Sequence, residues 1–329
     1  MKKFMQKFSF KKYSKEARQQ RRETRILMNR TVKQRFKRWL QRLTVKKVVV
    51  GTLLYAWLFV MLVIVFTPLL WMISASFTDA RNLSSVPIIP RPSEWSLANY
   101  IELFTYRSRT GQRYSDYLQA FFLSLQLAVL NMILVVIISS LTGFAFSRYR
   151  FTGKKKVLLG MMTLQMFPSF MGMIALFMLF SWLGLTGNPY AVVLVYVAGA
   201  IPYNTFIVRG FMRNIPKSLD EAAMIDGATN LQIMRKIIIP LALPIMGFIA
   251  VTAFMGPWMD YILQRILLQT GGRDTVAVWL FRYMDPFSHN YNPIRFMTGA
   301  LFITVPIMLV QLYMQKFVVY GLTAGAEKG

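Results

Sequence analysis

Ser218 and Thr229 each stand three positions ahead of a glutamate or glutamine, Glu221 and Gln232, in the stretch SLDEAAMIDGATNLQIMRKIIIPLALP, residues 218–244. This is capping-box spacing: the hydroxyl accepts from the backbone N–H three residues on, and the longer side chain reaches back to the first N–H. It predicts one helix from about Leu219, with Asp220 and Glu221 at its positive end. That helix continues through Ala222, Ala223, Met224 and Ile225 and stops at Gly227, glycine being the usual residue for a left-handed helix end. A second helix starts after Thr229 and flows through Met234 and Ile237 into an apolar run. The chemistry on offer is recognition. Leu219, Met224 and Ile225 supply apolar contacts, and Ala222 and Ala223 let a partner's side chains come close, as in a helix seated in a groove. The alternative is an amphipathic helix lying on the membrane, which the acids disfavour because the inner leaflet is negative.

Few other residues invite chemistry. There is no cysteine and one histidine, His289, so thiolate metal sites and Cys nucleophiles are excluded and His-based triads are disfavoured. Gly153-Lys154-Lys155-Lys156 is a basic turn, without the spacing of a phosphate loop. Asp79, Asp116, Asp260 and Asp285 stand singly, which weighs against a membrane glycosyltransferase needing clustered acids. No metal or cofactor is expected.

The elements around this stretch are apolar. Of 329 residues, 55% are hydrophobic and 16% charged, against about 25% charged in soluble domains, and mean hydropathy is +0.42. A helix crossing the bilayer needs about 20 apolar residues. Six runs qualify: Val48–Ser74, Leu118–Phe146, Val157–Leu183, Ala191–Ile207, about Ile237–Leu263 and Phe296–Val319, the fourth and fifth interrupted by Pro202, Pro240, Pro244 and Pro257. Arg148, Arg150, Lys154, Lys155 and Lys156 crowd one loop, and Arg209, Arg213, Lys217, Arg235 and Lys236 another, whereas Gly184–Tyr190 has no Lys or Arg. The positive-inside rule places both termini and both basic loops in the cytoplasm. Residues 1–47 hold 18 Lys/Arg and two acids of a chain with net charge +26. This basic segment reads as a topology-setting tail that touches anionic lipid; nucleic acid is not expected as a partner, although an assembly factor holding ribosomes or nucleic acid is the distant alternative. No ionisable group falls clearly mid-span, which disfavours a self-powered secondary transporter.

Glu221-Ala222-Ala223, Asp226-Gly227, Ile237 and Ile239-Pro240 together resemble the EAA signature of permease subunits of bacterial ABC importers. Ile239 departs from the leucine usual before that proline. GLTAGAEKG at Gly321–Gly329 is similar to the tail of the second permease subunit of maltose/maltodextrin importers. The resemblance runs from about Thr44 to the C-terminus and leaves the basic tail without a role. It implies an all-α membrane protein with six transmembrane helices in the type I ABC importer permease fold and cytoplasmic coupling helices. Its parts would be the basic tail 1–47, first span 48–76, external loop 77–117, permease core 118–320 with coupling loop 213–236, and C-terminal tail 321–329. The implied function is a non-enzymatic transport subunit in a bacterial cytoplasmic membrane, importing maltose or maltodextrin, with a raffinose-type or multiple-sugar permease as the alternative. The implied partners are a second permease forming a heterodimer, two cytoplasmic ATPase subunits and an external sugar-binding protein. Coupling to the ATPase falls to Glu221, Ala222, Ala223, Asp226, Gly227, Ile237 and Pro240.

Sugar sites need aromatic platforms and neutral polar groups. Gln126, Gln165, Tyr203, Asn204 and Trp258 are the substrate-pathway candidates, with Trp182 and Tyr196 behind them; such side chains also serve as helix–helix contacts and interface belts. By resemblance alone, the loop around Thr270-Gly271-Gly272-Arg273 would reach into the binding protein.

Overall fold

The structure is a computed structural model describing residues 45–79, 85–108, 113–269, 273–287 and 289–326. The basic tail up to residue 44, the loop 270–272 and the last residues 327–329 lie outside the described residues. Helix α1, Val45–Phe77, runs unbroken through Pro68. It passes from a first compact unit, ending at Pro68, into a second that begins at Leu69. In the first unit Leu53, Tyr55, Trp57, Leu58 and Phe59 are all exposed. A helix apolar on every face is suited to lipid.

The second unit begins with the last turns of α1. Asn99 Nδ2 donates to the carbonyls of Ala75, Ser76 and Thr78 at 3.3, 3.2 and 2.9 Å, satisfying orphan acceptors at that helix end. Asn99 belongs to α2, Ala98–Thr105. Next come α3, Asp116–Arg148; α4, Lys154–Gln165; α5, Ser169–Trp182; and α6, Pro189–Arg213. Helix α7 is Ser218–Ile225, and α8 is Asn230–Leu241, with a π-turn at Met234–Ile238. They are followed by α9, Leu243–Met259; α10, Ile262–Leu267; α11, Val276–Met284; and α12, Pro293–Ala326. The described residues contain no strand, only an isolated bridge between Thr78 and Trp95.

Four helices are long and apolar enough to cross a membrane, and the number rises to six if each of two bent pairs is one span. Two of the six apolar runs are bent pairs. The third run is α4 and α5 meeting at 98°; Pro168 has no N–H to donate and biases Phe167 away from helix. The fifth is α8 and α9 meeting at 79°, with Ala242 at ψ 4° between them and Pro244 opening α9. It ends at Met259, so Leu263 belongs to α10. Helix α6 continues through Pro202 and past Ile207 to Arg213.

Helices α3, α6 and α9 form the packed centre. Leu127, Val135, Val193, Val208 and Ile249 are buried in it. Close approach is written into Gly143, where an added Cβ would fall 2.4 Å from Val208 Cγ1. Beside it the hydroxyls of Thr142 and Thr205 meet at 2.7 Å, and Asn131 Nδ2 donates to the Ala253 carbonyl at 2.7 Å. These contacts fasten α3 to both neighbours. A second cluster, with Tyr117, Trp258, Trp279 and Tyr283, packs α3, α9, α11 and α12 together.

Candidate coupling site

The stretch from Lys217 to Pro240 folds as two helices around a corner. Helix α7 ends in a Schellman arrangement: the Ala228 N–H donates to the Ala223 carbonyl at 2.9 Å and the Gly227 N–H to the Met224 carbonyl at 3.0 Å. Gly227 sits at φ +80°. A Cβ there would meet nothing within 4 Å, so the demand for glycine is conformational rather than spatial. Thr229 then caps α8 as its spacing predicts, with the Thr229 N–H donating to Gln232 Oε1 at 2.8 Å and the Gln232 N–H to Thr229 Oγ1 at 3.4 Å.

The first capping box does not form. The helical turn begins one residue earlier, at Lys217, which is already in αR conformation, and Ser218 makes no cap hydrogen bond. The Lys217 carbonyl accepts from the N–H of Asp220 and of Glu221 at 2.9 and 3.0 Å. Glu221 is therefore free of a capping duty and lies exposed.

The buried acid is Asp220. Its Oδ2 lies 2.6 Å from Arg148 Nε, with both side chains under 10% exposed. The Nε–H does not point along this contact and Arg148 Nη1 has no acceptor, so the pair is held by charge, helped by Nη2–H donating to Asp220 Oδ1 at 3.4 Å. The same Nη2 donates to the Ile215 carbonyl at 3.2 Å. Arg148 is the last residue of α3, so the pair ties the start of α7 to a central helix. Sequence reasoning missed it, and the signal was slight: an acid beside the EAA triplet and an arginine closing a long apolar run.

Of the remaining coupling candidates, Ala222 and Asp226 are exposed, the Asp226 N–H closing α7 on the Ala222 carbonyl at 3.1 Å. Ala223 and Ile237 are half-buried against the central core, with Ala228 and Ile239, while Pro240 is exposed in the last turn of α8. The outward face of the corner is apolar: Leu219, Met224, Ile225 and Leu231 are all exposed, Ile225 to 87%. The corner is thus anchored inward by Ala223 and Asp220 and presents apolar side chains outward.

Residues 136–321 match the family described as binding-protein-dependent transport system inner membrane component. The chain belongs to this family. It is 37% identical over 276 residues to the galactooligosaccharides transport system permease protein GanQ of Bacillus subtilis, covering 84% of this chain and 94% of that one. It is 32% identical over 275 residues to the maltodextrin transport system permease protein MdxG of the same species, covering 84% and 95%. Among solved structures, it resembles a chain of a bacterial ABC transporter involved in the import of the acidic polysaccharide alginate, with TM-score 0.68, 20% identity and coverage of 84% and 99%. At that identity the likeness establishes the fold alone, which is that of a type I ABC importer permease. The whole corner from Lys217 to Pro240 lies within the family's match. As a member, the chain is an inner-membrane transport component and permease subunit, not an enzyme, and ATP hydrolysis is the work of a separate subunit.

The pathway candidates of this permease do not converge on one point. Gln165 Nε2 donates to the Gly199 carbonyl at 2.8 Å, and Tyr203, exposed, lies one helical turn from Gly199, so these share a face of α6. Gln126, exposed on α3, accepts from the Tyr190 hydroxyl at 3.2 Å. Asn204 is buried toward the core. Trp258 is buried among Phe121 and Phe254, with ring centroids at 5.6 and 5.9 Å, and its Nε1 finds no partner. A polar network that sequence reasoning did not assemble joins the ends of α6 and α9: the Tyr196 hydroxyl donates to Asp260 Oδ2 at 2.9 Å, and Gln264 Nε2 donates to the Tyr196 hydroxyl at 2.9 Å. Fully buried Gln264 also accepts from Thr275.

Proposed function

We propose that this permease forms, with a second permease subunit, the translocation pathway of an ATP-driven importer for a neutral oligosaccharide, and that the α7–Gly227–α8 corner is its contact with a cytoplasmic ATPase. The observation that carries the reading is the corner itself: an apolar outward face of Leu219, Met224 and Ile225 on a helix anchored to α3. Such a helix suits a groove on another protein, where its apolar side chains leave water. Movement of that partner would pass through Asp220 and Arg148 to α3, and through Gly227 to α8 and α9. Both termini are read as cytoplasmic from the basic loops around Arg148–Lys156 and Arg209–Lys236. An external sugar-binding protein would deliver substrate at the opposite face.

The names of the relatives support the substrate class. GanQ is a galactooligosaccharide permease and MdxG a maltodextrin permease, and both cargoes are uncharged chains of hexoses. Maltodextrin remains the reading by resemblance of the tail Gly321–Gly329, and galactooligosaccharide is the second reading on the strength of the 37% identity to GanQ. Cells lacking the gene and cells with it restored, given labelled maltotriose or labelled galactotriose, separate them. Restored uptake of one sugar, by about tenfold or more over the deletion strain, identifies the cargo. Uptake of neither that depends on the gene contradicts both the maltodextrin and the galactooligosaccharide readings.

A further inference from the structure

Between α4 and the end of α6 lies a cavity of about 490 Å³ lined at one end by Lys154, Lys155 and Arg209 and along its side by Leu158, Leu159 and Phe206. We propose that this cavity is a binding site for an anionic phospholipid, its phosphate held by the three cations and its acyl chain lying along the apolar wall. Three observations support this.

The first is charge without a counter-charge. Among the described residues the ion pairs are Arg148–Asp220, Arg282–Asp274 and Arg295–Glu102, and none involves the cations of the cavity. Lys154 Nζ donates once, to the Tyr149 carbonyl at 2.9 Å, leaving two of its three donors. The second is an orphan: Arg209 Nε is buried with no acceptor. A buried donor of a charged group left unsatisfied is costly, and an anion against the remaining guanidinium nitrogens would offset that charge. The third is the segregation of the lining. The lysines open α4 just after Gly153, which turns the chain at φ +85°, whereas Leu158 and Leu159 stand one turn further into the apolar run. Leu159 is 66% exposed and Phe206 45%. A soluble phosphate uses only the cations; an amphiphile uses both parts, and basic pockets at the cytoplasmic ends of spans hold lipid headgroups. That this is the inner leaflet rests on the orientation proposed above. The headgroup preference does not, so the two can fail separately.

The test reconstitutes the complete importer with photoactivatable phosphatidylglycerol or with phosphatidylcholine carrying the same acyl-chain diazirine, and maps the labelled peptides by mass spectrometry. The basic tail attracts anionic lipid generally, so the readout is local: labelling within 157–164 and at Phe206, compared with labelling around Leu309 on α12. Phosphatidylglycerol is expected to label the cavity at least about fivefold more than phosphatidylcholine, with no such ratio at Leu309. Lys154→Gln combined with Arg209→Gln is expected to bring the cavity to the phosphatidylcholine level. Equal labelling by the two lipids in the wild-type protein overturns the proposal without recourse to any variant. So does labelling unchanged in the double variant, or abolition of the preference by millimolar glycerol 3-phosphate, which would mark a site for soluble phosphates.

Discussion

Asp220→Ala is expected to reduce sugar uptake at least tenfold while leaving the permease in the membrane. Removing one member of a buried ion pair strands the other, at a cost of roughly 3–5 kcal/mol. Here the stranded group would be Arg148, whose side chain is 8% exposed. Neither residue is mid-span, and the helices they join keep their own cores, so insertion survives; what loosens is the tie between α7 and α3. Arg148→Lys should behave similarly to the Asp220 variant, because an ammonium cannot reach both Asp220 and the Ile215 carbonyl as a guanidinium does. Asp220→Ala with Arg148→Met removes both charges and should recover part of the loss, giving a non-additive cycle. Uptake by whole cells and permease quantity in washed membranes are the two measurements. Equal uptake in wild type and Asp220→Ala would show that the pair is structural decoration. A double variant no better than Asp220→Ala would show that the carboxylate itself, rather than the stranded arginine, is what matters.

Gly227→Pro is expected to abolish uptake and to release the ATPase on purification. Gly227 holds φ +80°, where a residue with Cβ is disfavoured by about 1–2 kcal/mol. Proline is fixed near −65° and also removes the N–H that donates to Met224 at 3.0 Å. The Schellman end of α7 cannot then form, and Leu219 and Ile225 lose their direction relative to α8. Gly227→Ala meets open space and should retain a measurable fraction of uptake, which separates a conformational requirement from a contact. Glu221→Lys tests the exposed acid without disturbing the backbone: since Ser218 does not cap, loss of ATPase binding in that variant would report on the partner rather than on helix stability. Normal uptake and normal co-purification in Gly227→Pro would remove the corner from the coupling mechanism.

Much of the corner was legible in the sequence because its signals are local. Gly227 and the Thr229–Gln232 box act over three or four residues, and both stand where their spacing places them. The Ser218 box failed because Lys217 continues the helical turn backward, which hydroxyl–carboxylate spacing alone does not reveal. The Arg148–Asp220 pair was illegible for a different reason. Its members are 72 residues apart, and four cations close to Arg148 in the sequence, Arg150, Lys154, Lys155 and Lys156, had equal claim on the acid. The spans show the same division. Apolar runs mark where crossings can fall, four as single helices and up to six with the bent pairs, but hydropathy sums residues and is blind to direction, so the 98° and 79° bends do not register. Prolines alone were no guide either: Pro168 stands at the break between α4 and α5, as the N-cap of α5, whereas Pro202 lies inside α6 and leaves it whole. Among the pathway candidates, Trp258 illustrates how an aromatic in a span serves packing as readily as a ligand.

The most direct test of the coupling contact exploits the absence of cysteine from this chain. Ile225→Cys places a single thiol at the most exposed apolar position of α7, and a benzophenone maleimide attached there is photolysed in the assembled importer. With the α7–Gly227–α8 corner seated on a cytoplasmic ATPase, the label at residue 225 cross-links to that subunit, more in the presence of ATP and sugar-loaded binding protein or less, but always above the same label at Leu309. Cross-linking of residue 225 to the external binding protein, or to lipid alone with the ATPase present and active, would contradict both the coupling contact and the cytoplasmic placement of the corner.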